Sequence, residues 1–168
     1  GTLVVAGARD RAELERFAHM TDGFDKLDAE QLNALEPGLE DRFAAALYYR
    51  QEAHMAPLPA MRFLLDEARK AGAEIAFGTT WPHDSSGAQL VIDCRGLAAR
   101  AELADLRGVR GERLVVHTRE IELSRPIRLL HPRHPLYVVP WGDGQFMLGA
   151  TVVESEDAGQ VTVRSALE

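Results

Sequence analysis

Leu136-Tyr137-Val138-Val139-Pro140-Trp141-Gly142-Asp143-Gly144-Gln145-Phe146-Met147-Leu148-Gly149 holds two short apolar runs on either side of a glycine-rich turn. Residues 136–139 and 145–149 read as strands, and Trp141-Gly142-Asp143-Gly144 supplies the hairpin between them, because Asp and Gly accept the positive φ that tight hairpins need. The two-residue strand period puts Tyr137 and Val139 on one face. Immediately upstream, residues 114–118 and 127–130 carry the same kind of run, so the chain from Arg113 onward reads mostly as antiparallel strand.

Further toward the N-terminus the periods alternate. Residues 3–6 form a β-branched run ended by Gly7 and read as a buried strand. Asp10 and Glu13 have capping-box spacing ahead of Leu14, Phe17 and Ala18, which share one helical face. Asp28 and Gln31 repeat that spacing before Leu32 and Leu35, and Pro37 makes Glu36 unfavourable for helix. Residues 44–50 suit a strand. Pro57 and Pro59 suit the first turn of a helix whose stripe is Met61, Leu64, Leu65 and Ala68, ended by Gly72. Residues 73–77 and 89–93 are the next expected strands, separated by a polar loop with Pro82, Ser85, Ser86 and Gly87. The expected fold class is α+β, an antiparallel or mixed sheet with flanking helices. No internal repeat or low-complexity tract interrupts it.

At 168 residues and 46% hydrophobic content, the chain can bury roughly 70% of its unfolded surface in one core. A net charge of −7 argues against phosphate backbones, so nucleic acid is not an expected partner. No apolar run approaches the roughly 20 residues of a spanning helix, and Gly1-Thr2-Leu3-Val4-Val5-Ala6 lacks the layout of a signal peptide, so a soluble cytoplasmic protein is expected. Cys94 is the single cysteine and has no internal disulfide partner. The chain opens on a strand-like run and stops at Arg164-Ser165-Ala166-Leu167-Glu168, a helix just begun, which suggests a piece of a longer protein.

Several constellations invite a chemical reading. His131-Pro132-Arg133-His134-Pro135 spaces two imidazoles as metal sites do, but the prolines exclude a helix and no Cys, Asp or Glu stands in the segment, so no metal is expected. Arg107, Arg110, Arg113, Arg119, Arg125, Arg128 and Arg133 are locally dense; they suit either a carboxylate or phosphate site or, preferably, the charged solvent face of strands. Cys94 follows an apolar run with no partnering His, so a packed, inert thiol is expected. From spacing alone Tyr137 reads as a core tyrosine with its tip in water. The chain contains no G-x-S-x-G, P-loop, paired zinc-type cysteines or G-x-G-x-x-G.

An ordered set of motifs carries a family likeness. Leu35-Glu36-Pro37-Gly38-Leu39, Ala71-Gly72-Ala73-Glu74-Ile75, Val91-Ile92-Asp93-Cys94-Arg95-Gly96, Arg110-Gly111-Glu112, Tyr137-Val138-Val139-Pro140, Gly144 and Met147-Leu148-Gly149-Ala150-Thr151 together resemble the D-amino-acid oxidase and glycine oxidase family of FAD enzymes, nearest to its thiamine-biosynthesis members. The likeness covers essentially the whole chain. It implies a substrate-binding domain, built from residues 1–56 and 105–168, around a return segment of the flavin domain at 57–104. By matching motifs, Tyr137 is the implied catalytic and substrate-binding residue, with Thr151 and Val152 lining the same pocket. Thr80, Cys94, Arg95 and Gly96 are the implied cofactor-binding residues, Gly96 because a glycine lets backbone approach the flavin.

The implied chemistry is oxidative deamination of glycine or a small amino acid or amine: hydride passes from the α-carbon to FAD, water hydrolyses the imine and oxygen leaves as hydrogen peroxide. The family's G-x-G-x-x-G turn, which seats the FAD pyrophosphate on a helix N-terminus, and its Gly-x-Arg-Pro carboxylate arginine are not among these residues, so this piece alone is expected to be inactive and not to retain FAD. Arg95, Trp141 and Val152 also depart from the family's small residue, arginine and methionine. An apolar patch is expected where a flavin domain would cover the chain, and with it a tendency to homo-oligomerise. Two rival readings stand beside the oxidase: a non-catalytic module holding a carboxylate ligand or a partner protein, and a same-fold enzyme passing electrons to a quinone.

Overall fold

A computed structural model describes residues 1–80, 87–157 and 159–163; Pro82, Ser85 and Ser86 of the expected loop, and the helix start expected at 164–168, lie outside the described residues. Internal contacts divide the chain into two units, Gly1–Met55 with Arg110–Glu168, and Ala56–Val109.

The first unit is built on β1 (Thr2–Ala6), β2 (Asp25–Asp28), β3 (Ala45–Tyr49), β4 (Arg113–His117), β5 (Ile127–Leu130), β6 (Leu136–Gly142) and β7 (Gln145–Gly149). They form one seven-stranded sheet in the order β2-β3-β1-β5-β6-β7-β4. Only β1 with β5 is parallel, so the sheet is mixed. β1 lies inside the sheet with apolar residues on both faces, and Leu3 and Val5 are fully buried. A strand covered on both sides has no polar alternation to show, which is why Leu3-Val4-Val5-Ala6 reads as a continuous apolar run.

Helix α1 (Arg11–Met20) closes one face, with Leu14, Phe17 and Ala18 against Val4, Ala6 and Leu47. Helix α2 (Ala29–Leu35) and the 3₁₀ turn Pro37–Leu39 close the other, with Leu32 and Leu39 against Leu3, Val5, Ala46 and Ile127. The capping box expected at α2 forms: Asp28 Oδ1 accepts from the Gln31 N–H at 2.9 Å, and the Asp28 N–H donates to Gln31 Oε1 at 3.1 Å. The one expected at Asp10 and Glu13 does not. A 3₁₀ turn at Ala8–Asp10 runs straight into α1, so Asp10 takes φ −108°, ψ 20° instead of the extended backbone that aims a capping side chain at the free N–H groups.

β2 was not expected. Asp25-Lys26-Leu27-Asp28 is polar, and only its edge pairing with β3 makes it a strand. At the hairpin, the pair Gly142 and Gln145 encloses the two-residue loop Asp143-Gly144, with φ of 51° and 72°. Two successive positive φ values match the right-handed strand twist, and glycine is needed at 144 because a Cβ there would sit 2.6 Å from the Thr118 carbonyl oxygen.

In the second unit, α3 (Pro57–Lys70) begins on a proline, and Gly72 follows its C-cap at φ +87°. None of its residues is buried; Leu58, Met61, Phe63 and Leu64 are all more than half exposed. The strands expected at 73–77 and 89–93 do not form, and Phe77, Leu90 and Ile92 are more than 70% exposed. A strand pair with no sheet to join and no layer to pack against is marginal in water, so these runs stay unpaired. Cys94, expected to be packed, is exposed for the same reason. Among the described residues no helix is long and apolar enough to cross a membrane.

Candidate functional site at the Gly149 edge of the sheet

One row of side chains crosses four strands: Arg128 pairs with Tyr137, Tyr137 with Gly149, and Gly149 with Arg113. It lies on the α1 face, where the Arg128 guanidinium stacks 5.1 Å from the Phe17 ring centroid. Tyr137 lies over Gly149, so closely that a Cβ there would stand 3.0 Å from the tyrosine oxygen. The ring is 36% exposed, and its hydroxyl has no protein partner among the described residues.

On the opposite face the sheet is bare beyond α2, and a cleft of about 600 Å³ opens there. Leu114, Leu129, Leu136 and Leu148 form its apolar floor. The segment leaving β7, Ala150-Thr151-Val152, makes one wall with Val161. Arg133, His131 and His134 stand at its edge, and Arg133 has no carboxylate partner among the described residues. The two imidazoles stack at 5.4 Å, and His131 Nδ1 accepts the backbone N–H groups of Arg133 and His134 at 3.2 and 3.0 Å. That nitrogen organises the turn. Among the described residues no three His, Cys, Asp or Glu side chains gather in a way that suits a metal ion.

Of the residues named from the sequence, Thr151 and Val152 line the cleft together, whereas Tyr137 projects from the other face and is not part of its lining. The three meet only through Gly149, which Tyr137 covers and from which the chain runs on to Thr151. Thr80, Cys94, Arg95 and Gly96 belong to the second unit. There the Arg95 guanidinium takes Asp93 with Nε at 3.0 and 3.1 Å and Nη2 at 2.8 Å, and Glu102 with Nη2 at 3.2 Å. These hydrogen bonds, then the Arg95 backbone N–H, hold the Asp93 carboxyl below its ordinary range, and Asp93 raises the Arg95 guanidinium in turn.

Two of the arginines assigned to a solvent face are instead partly buried against carboxylates. Arg125 Nε donates to Glu36 at 2.9 Å, its Nη2 to the Leu35 carbonyl at 3.1 Å, and its guanidinium stacks 5.6 Å from the Tyr48 ring. Glu36 also accepts the backbone N–H and hydroxyl of Ser124, the latter at 2.7 Å. Arg110 pairs with Glu112 at 2.6 Å, and their side chains are 13% and 4% exposed. Arg110-Gly111-Glu112 puts both charges on one face of an extended chain, a pattern that flags the pair; nothing in the sequence links Glu36 to Arg125 across 89 positions.

Fold and site together define a sheet domain with helices on the faces of its inner strands and an open, partly cationic outer half. Residues 1–167 match the family described as FAD dependent oxidoreductase, and the chain belongs to that family. It is 49% identical, over all 168 residues, to a protein of Rhizobium etli provisionally named thiamine biosynthesis oxidoreductase ThiO, and covers 51% of it. The glycine oxidase of Geobacillus kaustophilus superposes with a TM-score of 0.72 at 20% identity, over 99% of this chain and 51% of that one. That of Bacillus cereus does so at 0.68 and 18%, over 99% and 52%. The chain thus spans about half the length of the relatives it matches.

The family implies a flavin. Gly96 fits such a group: φ is +58° and no heavy atom lies within 4 Å of where a Cβ would stand, so its backbone is open to a flat ligand. Arg95 does not offer its side chain, which is engaged by Asp93 and Glu102.

Proposed function

We propose that this chain forms the substrate-binding sheet of an FAD-dependent oxidase of glycine or a small amino acid or amine, with residues 57–104 belonging to its flavin-binding part. The observation that carries the reading is the cleft of about 600 Å³ on the bare half of the sheet, with leucines on its floor, Thr151 and Val152 in its wall and Arg133 at its edge. An apolar floor beside an arginine without a carboxylate partner among the described residues suits a small amino acid, whose carboxylate the guanidinium can hold.

The residues divide the work by position. Thr151 and Val152 limit the space beside the reacting carbon, and Arg133 favours an anionic substrate at the cleft; Tyr137, on the other face of the sheet, backs Gly149 where the cleft wall begins. Gly96 lets the backbone lie close to the cofactor. A flavin bound beside Gly96 would supply the acceptor for the hydride of the substrate α-carbon and a route for the electrons to oxygen, leaving an imine for water to hydrolyse. Orientation and exclusion of bulk water are the protein's share, and no side-chain base is needed if the amine enters neutral. Thiamine biosynthesis as the setting is supported by the name of the Rhizobium etli relative.

The test is a protein extended to the full length of the relatives, purified and mixed anaerobically with glycine. A yellow protein that bleaches is expected. A yellow protein that no small amino acid or amine reduces would remove the oxidase assignment. A colourless one would favour the second reading, a carboxylate-binding module, for which Arg133 at the cleft, without a carboxylate partner among the described residues, speaks.

A further inference from the structure

The cleft wall is not held by sheet pairing alone. Beyond β4 and β7 the ladder continues irregularly: the Arg110 N–H donates to the Val153 carbonyl and the Val153 N–H to the Arg110 carbonyl, both at 2.8 Å. The Glu112 N–H donates to the Thr151 hydroxyl at 3.1 Å, and the Thr151 N–H to the Glu112 carbonyl at 3.1 Å. The side chains of the same two residues grip the chain further on. Arg110 Nη1 donates to the Asp157 carbonyl at 3.0 Å and Nη2 to the Gly159 carbonyl at 2.9 Å, with a further short bond to Gln160. The Glu112 carboxylate accepts the N–H and hydroxyl of Thr162 at 3.3 Å. Residue 161, between Gln160 and Thr162, lines the cleft.

We propose that Arg110 and Glu112 are positioning residues that set substrate affinity by fixing the Thr151-Val152 wall and Val161 of the cleft. This rests on the cleft being the substrate site of the oxidase proposed above. The geometry suits only an arginine: one guanidinium bonds several backbone carbonyls and a carboxylate at once, which a lysine ammonium on its flexible stem does not reproduce. The carboxylate keeps the guanidinium from being a lone buried charge, and the guanidinium does the same for the carboxylate. Arg110 is not among the residues lining the cleft, and Glu112, which borders it, has its carboxylate engaged by Arg110 and Thr162, so their loss loosens a wall without removing a reactive group. Binding then suffers more than turnover.

The experiment uses the full-length holoenzyme, with Arg110→Lys and Glu112→Gln as conservative variants that keep the flavin spectrum. Amide hydrogen exchange at Thr162 is read together with KM and kcat for glycine. We expect Thr162 exchange to rise about tenfold in both variants, KM to rise about tenfold and kcat to stay within about twofold. Unchanged Thr162 exchange overturns the proposal whatever the enzyme turns out to oxidise. So does a faster-exchanging variant with unaltered KM, or a loss confined to kcat. Should the wild-type holoenzyme not be reduced by any small amine, the oxidase reading falls separately, and with it the proposed role in affinity; the exchange data still decide whether the two side chains hold the wall.

Discussion

Tyr137 and Gly149 are a matched pair, and each makes a prediction about the other. Tyr137→Phe in the full-length protein removes a hydroxyl on the face away from the cleft and leaves the ring packed over Gly149, so kcat/KM for glycine should stay within about threefold with thermal stability nearly unchanged; a tenfold fall, the equivalent of about 1.4 kcal/mol, would put the substrate on the Tyr137 face instead. Steady-state kinetics beside a melting curve separate the two effects. Gly38 and the pair Glu36–Arg125 make a purely structural prediction. A Cβ on Gly38 would collide with the backbone oxygen of Glu122, and the neighbouring Glu36 carboxylate, 3% exposed, depends on Arg125 and Ser124 for its charge. Arg125→Ala strands that buried carboxylate and should cost about 3 kcal/mol, visible as a lower urea midpoint; an unchanged midpoint would mean that Ser124 alone suffices.

Among the elements, α2 and the turn at 93–96 are held by their own side chains. The complete capping box makes Asp28→Ala a clean test, expected to destabilise the first unit by about 1 kcal/mol, whereas Asp10→Ala, whose side chain caps nothing, should be close to neutral. At the turn, Asp93 is held below its ordinary range by the Arg95 side chain and backbone. A carboxyl depressed in the folded state contributes order above its unfolded value, about 3.9, and loses it as pH falls through the lower folded value. The Asp93–Arg95 contact should therefore be intact at pH 7 and at pH 5 and disappear only below about pH 4, which a chemical-shift titration of the Arg95 amide will follow. Loss of the contact between pH 5 and 7 would contradict the assignment.

At the scale of the whole molecule, the exposed apolar side chains concentrate in the second unit: Leu58, Met61, Phe63, Phe77, Leu90 and Ile92 all lie at its surface. Surface apolar groups on this scale normally have a cover. The 168-residue chain should bind a hydrophobic dye and associate as concentration rises, while a protein extended to the length of its relatives should do neither. Light scattering over a concentration series makes the comparison, and a monodisperse 168-residue chain would count against it.

What the sequence determined by itself was every element whose signal is local. Trp141-Gly142-Asp143-Gly144 marked the hairpin because Asp and Gly accept the positive φ it needs, although the structure extends the strand to Gly142 and leaves only Asp143-Gly144 as the loop; Asp28 and Gln31 carried their own cap, and Leu3-Val4-Val5-Ala6 read as a buried strand. The motif order was also enough to reach the family. Only the tertiary structure decided the rest. It made Asp25-Lys26-Leu27-Asp28 a strand by pairing it with β3, and left 73–77 and 89–93 unpaired for lack of a sheet to join. It also turned Arg125 and Arg110 from expected surface charges into partly buried ion-pair partners, and put Tyr137 and the cleft on opposite faces of one sheet. The physical reason is common to all four: pairing, burial and facing depend on partners far away in the chain, and no local period or composition carries that information.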